Sequence, residues 1–380
     1  MSKPTIDQAD FSRLAYAISP PQQQAVFKQQ PDDFQVQEMN PYTLSGEGEH
    51  LWLYLQKTGE NSEWLAKEIA RWAGVSRSAV GMAGQKDRHA VTRQWLSVHL
   101  PGKSDPDWAE WPHPQVQLIK SSRHNRKLQK GGLSGNRFII RLRDLQSLGE
   151  QDLGQIIDEL SARLETVKSE GVPNYFGPQR FGKNGNNLPG ALQMIEGGQR
   201  VPRHKKSLYL SALRSWAFNC YVSERVEQGN WNRYLAGDVF QLEGSSRCFA
   251  DDGTDNLPQR LAEGDIHPSG LLIGQEAKGL LQPQGEVLQM QTDWLADFAL
   301  WSEGLAKMGV KADRRALRLM PQELQWQWLP VNSQNGEQSL DLQLEFILPA
   351  GAFATMVLRE LLIAKEPVRV YNDNEQSAEA

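Results

Sequence analysis

The stretch SLDLQLEFILP, residues 339–349, decides the architecture. Leu340, Leu342, Leu344, Phe346 and Leu348 alternate with Asp341, Gln343 and Glu345. A period of two puts the leucines and the phenylalanine on one face of a strand and the polar side chains on the other. Phe34 and Val36 show the same alternation, as do HLWLYLQK (50–57), QWLSVHL (94–100), VQLIK (116–120) and FIIRLR (138–143). Strands therefore crowd the early part of the chain and return only after about residue 321. Helical spacing marks other segments. NSEWLAKEIARW (61–72) starts on Asn61 or Ser62 as N-cap and carries Trp64, Leu65, Ile69 and Trp72 on one stripe. Residues 151–170 repeat Leu153, Ile156, Ile157, Leu160, Leu164 and Val167 at the same period.

After Gly171 the character changes. Glycine, proline and asparagine crowd GVPNYFGPQRFGKNGNNLPG (171–190), and helical patterns follow around 208–226 and 294–308. The early and late strands are thus expected to form one sheet, interrupted by a mainly helical insertion, an arrangement tolerated because domain termini often lie close together. A length of 380 residues favours two cores over one. With 39% hydrophobic and 23% charged residues the chain is expected to be globular rather than fibrous or disordered. No run of 18 apolar residues and no secretion-signal pattern occurs, so a cytoplasmic protein without a membrane span is expected. Two cysteines and seven histidines without ligand spacing argue against a disulfide framework or a zinc site. The tail YNDNEQSAEA (371–380) is polar and acidic, the composition of a disordered end.

The net charge of −5 hides an uneven distribution. Between residues 120 and 143 stand eight cations, Lys120, Arg123, Arg126, Lys127, Lys130, Arg137, Arg141 and Arg143, and no acid. A second cluster comprises Arg200, Arg203, His204, Lys205 and Lys206, and a third Lys311, Arg314, Arg315 and Arg318. Each alone reads as a solvated face; three together suit a polyanion such as RNA.

Phosphate-cradling glycine motifs and an H-E-x-x-H pair are missing from the sequence, which weakens nucleotide hydrolysis, dinucleotide chemistry and metalloprotease chemistry. The informative stretch is GMAGQKDRHAVTRQWLSVHL (81–100). Gly81 and Gly84 permit close approach, and a single acid, Asp87, stands between Lys86 and Arg88 ahead of a strand. Cations near a carboxylate favour its ionised form, as a nucleophile or base requires, although neighbours on an extended backbone face opposite ways and a cation from elsewhere can be the partner. The same triplet also reads as a solvated turn. In HNRKLQKGGLSGNRFIIRLR (124–143), cations can hold phosphate, Phe138 offers a ring and Asn136 offers donors and an acceptor to a base edge. Alternatively Phe138 is core beside Ile140 and Leu142, and Asn136 caps a turn. Phe34 and Phe353 sit beside turns at strand or helix edges, where core anchoring is the default.

AGQKDRHAVTRQW (83–95), HNRKLQKGGLSGNRF (124–138), VPNYFGPQRFGKNGNN (172–187), KQQPDDFQVQE (28–38) and LPAGAFATMVLREL (348–361) together resemble the TruD family of tRNA pseudouridine synthases, in order across about residues 20–365. The resemblance implies an α+β pseudouridine synthase fold: a central, mainly antiparallel sheet flanked by helices, plus a mainly helical inserted TRUD domain. The corresponding division is a discontinuous catalytic domain at 1–161 and 321–370, the insertion at 162–320 and the tail at 371–380. The implied activity is isomerisation of uridine at position 13 of a tRNA, without cofactor or metal, and no obligate protein partner is marked. By resemblance Asp87 is the catalytic aspartate, and Phe34, Asn136 and Phe353 contact the base. Phe138 is the stacking aromatic that replaces a tyrosine of other pseudouridine synthases, and Lys28 matches a lysine near the site. Arg123, Arg126, Lys127, Lys130, Arg203, Lys205 and Lys206 are expected along the RNA backbone. A noncatalytic RNA-binding protein would use the same patches, whereas a glycosidase would want a second acid beside Asp87, and none flanks it in sequence.

Overall fold

In the computed structural model, residues 9–198, 200–251, 253, 256–332 and 338–367 are described, and the acidic tail lies outside them. The chain divides into two compact units. A sheet unit takes the described parts of Gln22–Leu160, Gln322–Ala350 and Leu362–Ala380; a helical unit takes those of Met1–Pro21, Ser161–Pro321 and Gly351–Leu361. Segments 9–21 and 351–361, which the sequence division groups with the sheet, are thus compact with the insertion.

The sheet unit contains β1 (Gln23–Phe27), β2 (Phe34–Met39), β3 (His50–Thr58), β4 (Val80–Met82), β5 (Val91–His99), β6 (Val116–His124) and β7 (Gly135–Ser147), and after the insertion β14 (Gln322–Asn332), β15 (Gln338–Pro349) and β16 (Ile363–Lys365). Their order is β14-β15-β7-β2-β5-β3-β6, with β1 paired to β7 and β16, and β4 to β5. Every pairing is antiparallel except β2 with β5 and β1 with β16. The alternating stretch at 339–349 is β15, and Leu344, Phe346 and Leu348 lie opposite Ile140, Phe138 and Asn136 of β7. Its leucines and Phe346 are buried, so the polar residues face away from that layer. The helix α1 (Ser62–Trp72) packs Leu65, Ala66 and Ile69 against Leu53, Leu55, Leu96 and Val98 of β3 and β5. Asn61 caps it by accepting from the Trp64 N–H at 2.7 Å.

The chain passes to the helical unit along α2 (Leu153–Glu170). That unit holds α3 (Asn187–Glu196), α4 (Arg203–Glu227), α5 (Leu257–Ala262), α6 (Gly285–Asp297), α7 (Ala299–Lys307) and α8 (Ala354–Leu361). Alongside the helices runs a four-stranded sheet of β9 (Val239–Leu242), β10 (Cys248–Ala250), β11 (Ile266–Leu272) and β12 (Asp313–Ala316), with β8 (Val172–Pro173) paired to β13 (Arg318–Leu319). Sequence patterning does not reveal this small sheet because β11, IHPSGLL, is buried throughout its first six residues and so has no alternation to display. Trp216, Phe218 and Tyr221 of α4 and Trp294 of α6 are all within its core.

Candidate active site

Asp87 lies in the loop between β4 and β5, and the backbone on either side of it is tied down. The Lys86 N–H donates to Ser62 Oγ at 2.8 Å, and that hydroxyl donates to Gln94 Oε1 at 2.7 Å. The Lys86 ammonium pairs with Glu38, whose second oxygen accepts from the Trp95 N–H at 2.8 Å. Lys57, wholly buried, donates to the carbonyl oxygens of Glu60 and, at 2.9 Å, of Asp87 itself. Burial pushes the Lys57 ammonium down to about 8 in spite of the Asp87 charge nearby. Gly81 supports the same loop: a Cβ there would stand 2.4 Å from the Leu128 carbonyl oxygen. Gly84 has open space around it, so close approach does not explain that glycine.

The cations adjacent to Asp87 in sequence are not its partners. Lys86 turns to Glu38, and Arg88 donates to the Gly59 carbonyl at 3.2 Å. The partner is Lys28, at the end of β1, whose ammonium is in contact with Asp87 Oδ2 while the His89 N–H donates to Oδ1 at 3.1 Å. Burial alone would raise the Asp87 pKa; the Lys28 charge and hydrogen bond, with the His89 N–H, outweigh it and hold the carboxyl below its ordinary value. The group is therefore an anion at neutral pH, with its side chain 21% exposed. Lys28 reaches it from a left-handed backbone, φ 56°, an unfavourable conformation for a side-chain-bearing residue.

The Lys28 ammonium also lies 4.4 Å from the centroid of Phe34. Phe34 is 6.0 Å from Phe138, which stacks at 5.6 Å on Phe346. Phe138 is only 7% exposed, so it packs in the layer with Ile140 and Leu142 as well as against Phe34. Two residues along the same face is Asn136, opposite Glu38 on β2 and Leu348 on β15. Its Oδ1 is buried without a hydrogen-bond partner, as are Thr92 Oγ1 and Gln94 Nε2 on β5. Unsatisfied buried groups on one face call for a ligand or solvent to complete them. Phe353 belongs to the helical unit, where its ring meets Phe176 at 6.1 Å and the Arg180 guanidinium at 5.7 Å.

The cationic clusters divide on inspection. Arg126 and Lys130 are exposed in the loop after β6, and the Lys127 ammonium donates to the Ser78 carbonyl. Arg123, expected on the RNA backbone, spends its guanidinium on Asp105 and on the carbonyls of Gly48, Leu100 and Lys103. Arg137, Arg141 and Arg143 pair with Glu345 and Glu323, Asp341, and Asp33 respectively. Arg203 and Lys205 are exposed in the first turn of α4, with Lys206 beside them partly buried. In the third cluster Arg314 and Arg318 are interior, bonded to Ser269 and His267 among others. Among the described residues no group of three His, Cys, Asp or Glu could hold a metal ion, and no helix is long and apolar enough to cross a membrane.

A mixed sheet with a large helical unit inserted between its strands has a counterpart among solved folds. The crystal structure of a putative tRNA pseudouridine synthase D (TruD) from Methanosarcina mazei matches with a TM-score of 0.72, covering 95% of this chain and 98% of that one, at 22% identity. The fold is thus the α+β fold of that class of enzyme. The family model "tRNA pseudouridine synthase D (TruD)" matches residues 11–192 and 186–361. A tRNA pseudouridine synthase D from Hydrogenovibrio crunogenus is 48% identical over 93% of this chain and 97% of its own length. One from Aeromonas hydrophila is 44% identical over 94% and 96%. The chain belongs to the TruD family.

Proposed function

We propose that this protein is a cytoplasmic tRNA pseudouridine synthase, isomerising uridine at position 13 of a tRNA with Asp87 as the nucleophile and the target base flipped out of its stack. The reaction breaks the bond from C1′ to N1, turns the retained uracil and joins C1′ to C5; atoms neither enter nor leave. A carboxylate must then be ionised close to the sugar, and the base must be held while it is detached. The observation that carries this reading is the Lys28–Asp87 pair: a buried carboxylate kept anionic, in a loop pinned on both sides, next to Phe34 and the aromatic row of Phe138. Whether Asp87 attacks C1′ directly or assists formation of a glycal, it needs the same charge.

In this reading the sheet unit is the catalytic body. Phe34, Phe138 and Phe353 contact the base or hold its neighbours, and Asn136 offers the unpartnered Oδ1 to the uracil N3–H. Extruding a nucleotide costs a few kcal/mol, which phosphate contacts offset. Arg126, Lys127, Lys130, Arg203, Lys205 and Lys206 are assigned to those contacts. Cations in the first turn of α4 oppose the positive end of its dipole, and a bound phosphate would remove that conflict. The test is conversion of unmodified tRNA mapped by nucleotide. Wild type is expected to give pseudouridine at position 13. Asp87→Asn is expected to abolish it with tRNA affinity near wild type, and residual turnover within tenfold of wild type would sink the nucleophile assignment.

A further inference from the structure

Arg180, Arg214 and Arg315 lie in the helical unit, and among the described residues only Arg214 of the three has an acid acting on it, Asp313. Arg180 follows Phe176 in the segment FGPQRFG, with its guanidinium 5.5 Å from the Phe176 centroid. Arg315, on β12, lies 4.2 Å over the same ring, donates to Asn174 Oδ1 at 2.6 Å and to the Gly351 carbonyl at 3.2 Å. Arg180 donates one Nη to Ser211 Oγ on α4 at 3.2 Å, and its Nε is buried with no acceptor. One turn further along α4 is Arg214, whose Nε and one Nη are likewise buried and unpartnered. Among the described residues none of the three makes an ion pair. Asp313, near Arg214, instead accepts from the Arg314 N–H at 2.9 Å.

Half-buried arginines ordinarily hold a carboxylate or spend all their donors on carbonyls. Arg314 and Arg318, which flank or follow Arg315 in sequence, spend their donors on carbonyls and on Ser269 Oγ and His267 Nδ1; Arg180 and Arg214 keep buried donors without an acceptor. Burial lowers the proton affinity of all three groups, and Arg180 lowers that of Arg315 further. An oxyanion with several acceptor atoms cures these defects at once, since a planar fork of donors matches the oxygens of phosphate. Eleven residues, about three helical turns, separate Arg214 from Arg203, so the two lie on the same side of α4 roughly 16 Å apart along its axis. That puts Arg214 on the side of α4 that carries Arg203 at the helix start.

We propose that Arg180, Arg214 and Arg315 form a phosphate-binding site of the helical unit that takes a phosphodiester of the RNA substrate. The proposal rests on the function argued above and extends it to a site that none of the residues assigned there occupies. The Phe176 ring, over which both Arg180 and Arg315 lie, gives the attached nucleoside an apolar wall.

The test is equilibrium binding of unmodified tRNA between 50 and 200 mM salt for wild type, Arg214→Gln, Arg214→Lys and Arg180→Gln, with inorganic phosphate titrated separately against thermal unfolding. Each glutamine variant is expected to bind tRNA about tenfold more weakly and to flatten the slope of log K against log salt by roughly 0.7 to 0.9, the contribution of one phosphate; Arg214→Lys should recover most of the slope. Folded glutamine variants with the wild-type slope overturn the proposal, as does failure of both to fold, which would make the guanidiniums structural. A phosphate-induced rise in wild-type melting temperature that the variants lose, with tRNA binding unchanged, assigns the site to a free phosphate and overturns the RNA source. Conversion of tRNA by wild type in the same preparation separates the two readings: without it the enzymatic function fails, and with it an unchanged slope strikes only this site.

Discussion

Replacing Lys28 by methionine keeps the side-chain stem and removes the charge that holds Asp87 ionised. What remains around the carboxyl is burial, which is the largest influence and raises its pKa, opposed by the His89 N–H, the His89 charge and the nearby Lys57 ammonium. Breaking a buried pair by removing one partner costs about 3 to 5 kcal/mol, and the partial exposure of Asp87 favours the lower end. The pH signature is more specific than the loss itself. In the wild type the folded pKa is depressed, so this group's stabilisation is present above its unfolded value of about 3.9 and is lost only as pH falls through the folded value. In the variant burial dominates, the folded pKa lies above the unfolded one, and stability is lost as pH rises past the unfolded value. Urea unfolding at pH 5 and 7 is therefore expected to show a larger deficit for Lys28→Met at pH 7. Single-turnover conversion should acquire an acid limb in the variant that the wild type lacks over the same range. A deficit within 0.5 kcal/mol of zero at both pH values, roughly the error of such measurements, with an unchanged rate profile, would refute the assignment of Lys28 as the group that keeps Asp87 charged.

Lys57→Met removes a buried ammonium whose folded pKa of about 8 lies below its unfolded value near 10.5, so the wild type should gain stability relative to the variant as pH rises from 8 to 10.5, by at most about 3 kcal/mol; paired urea curves at pH 7.5 and 10 check this. Asp238→Asn leaves Arg225 with its fully buried charge uncompensated and is expected to cost about 3 to 5 kcal/mol, read as a drop in melting temperature without change in Asp87-dependent chemistry. Gly177→Ala places a Cβ 2.9 Å from Phe353 Cδ1 and 3.0 Å from Thr355 Oγ1, so it should shift the Phe353 ring, cost about 1 to 3 kcal/mol and lower conversion; equal melting temperatures and rates would show that the ring accommodates it. Neutralising Arg203, Lys205 and Lys206 together should weaken tRNA binding and flatten its salt dependence, and equal affinity across salt would remove α4's first turn from the RNA path.

Strands such as β1, β2 and β15 were legible because one face is more deeply buried than the other, which writes a period of two into residues such as Leu340 to Leu348. Register across the sheet was not legible, since nothing local sets Phe346 opposite Phe138. The candidate site shows the same divide. Asp87 stood out as a lone acid, yet its neighbours Lys86 and Arg88 point elsewhere, and Lys28 arrives through a left-handed turn 59 residues away in sequence. Charge counting failed for a related reason: a run of cations on a strand can pair with acids on adjacent strands, as Arg137 and Arg141 do with Glu345 and Asp341, so the basic strip is far less positive in the fold than in the sequence.

A further signal of the site lies in the phase of the strands. Lys57 is in phase with Leu51, Leu53 and Leu55, Glu38 with Phe34 and Val36, and Gln94 with Leu96 and Val98, so each is a polar residue at a position its strand buries. Burying such groups costs free energy unless partners are supplied; here Lys57 bonds the Asp87 carbonyl, Glu38 pairs with Lys86, and Gln94 accepts from the Ser62 hydroxyl that holds the Lys86 N–H. Polar residues that break the apolar phase of neighbouring strands at about the same height therefore mark where a sheet supports a reactive loop. The phase-breaking positions on β2, β3 and β5 gather around the Asp87 loop, whereas the apolar face of β15, where the phase runs unbroken from Leu340 to Leu348, supplies packing.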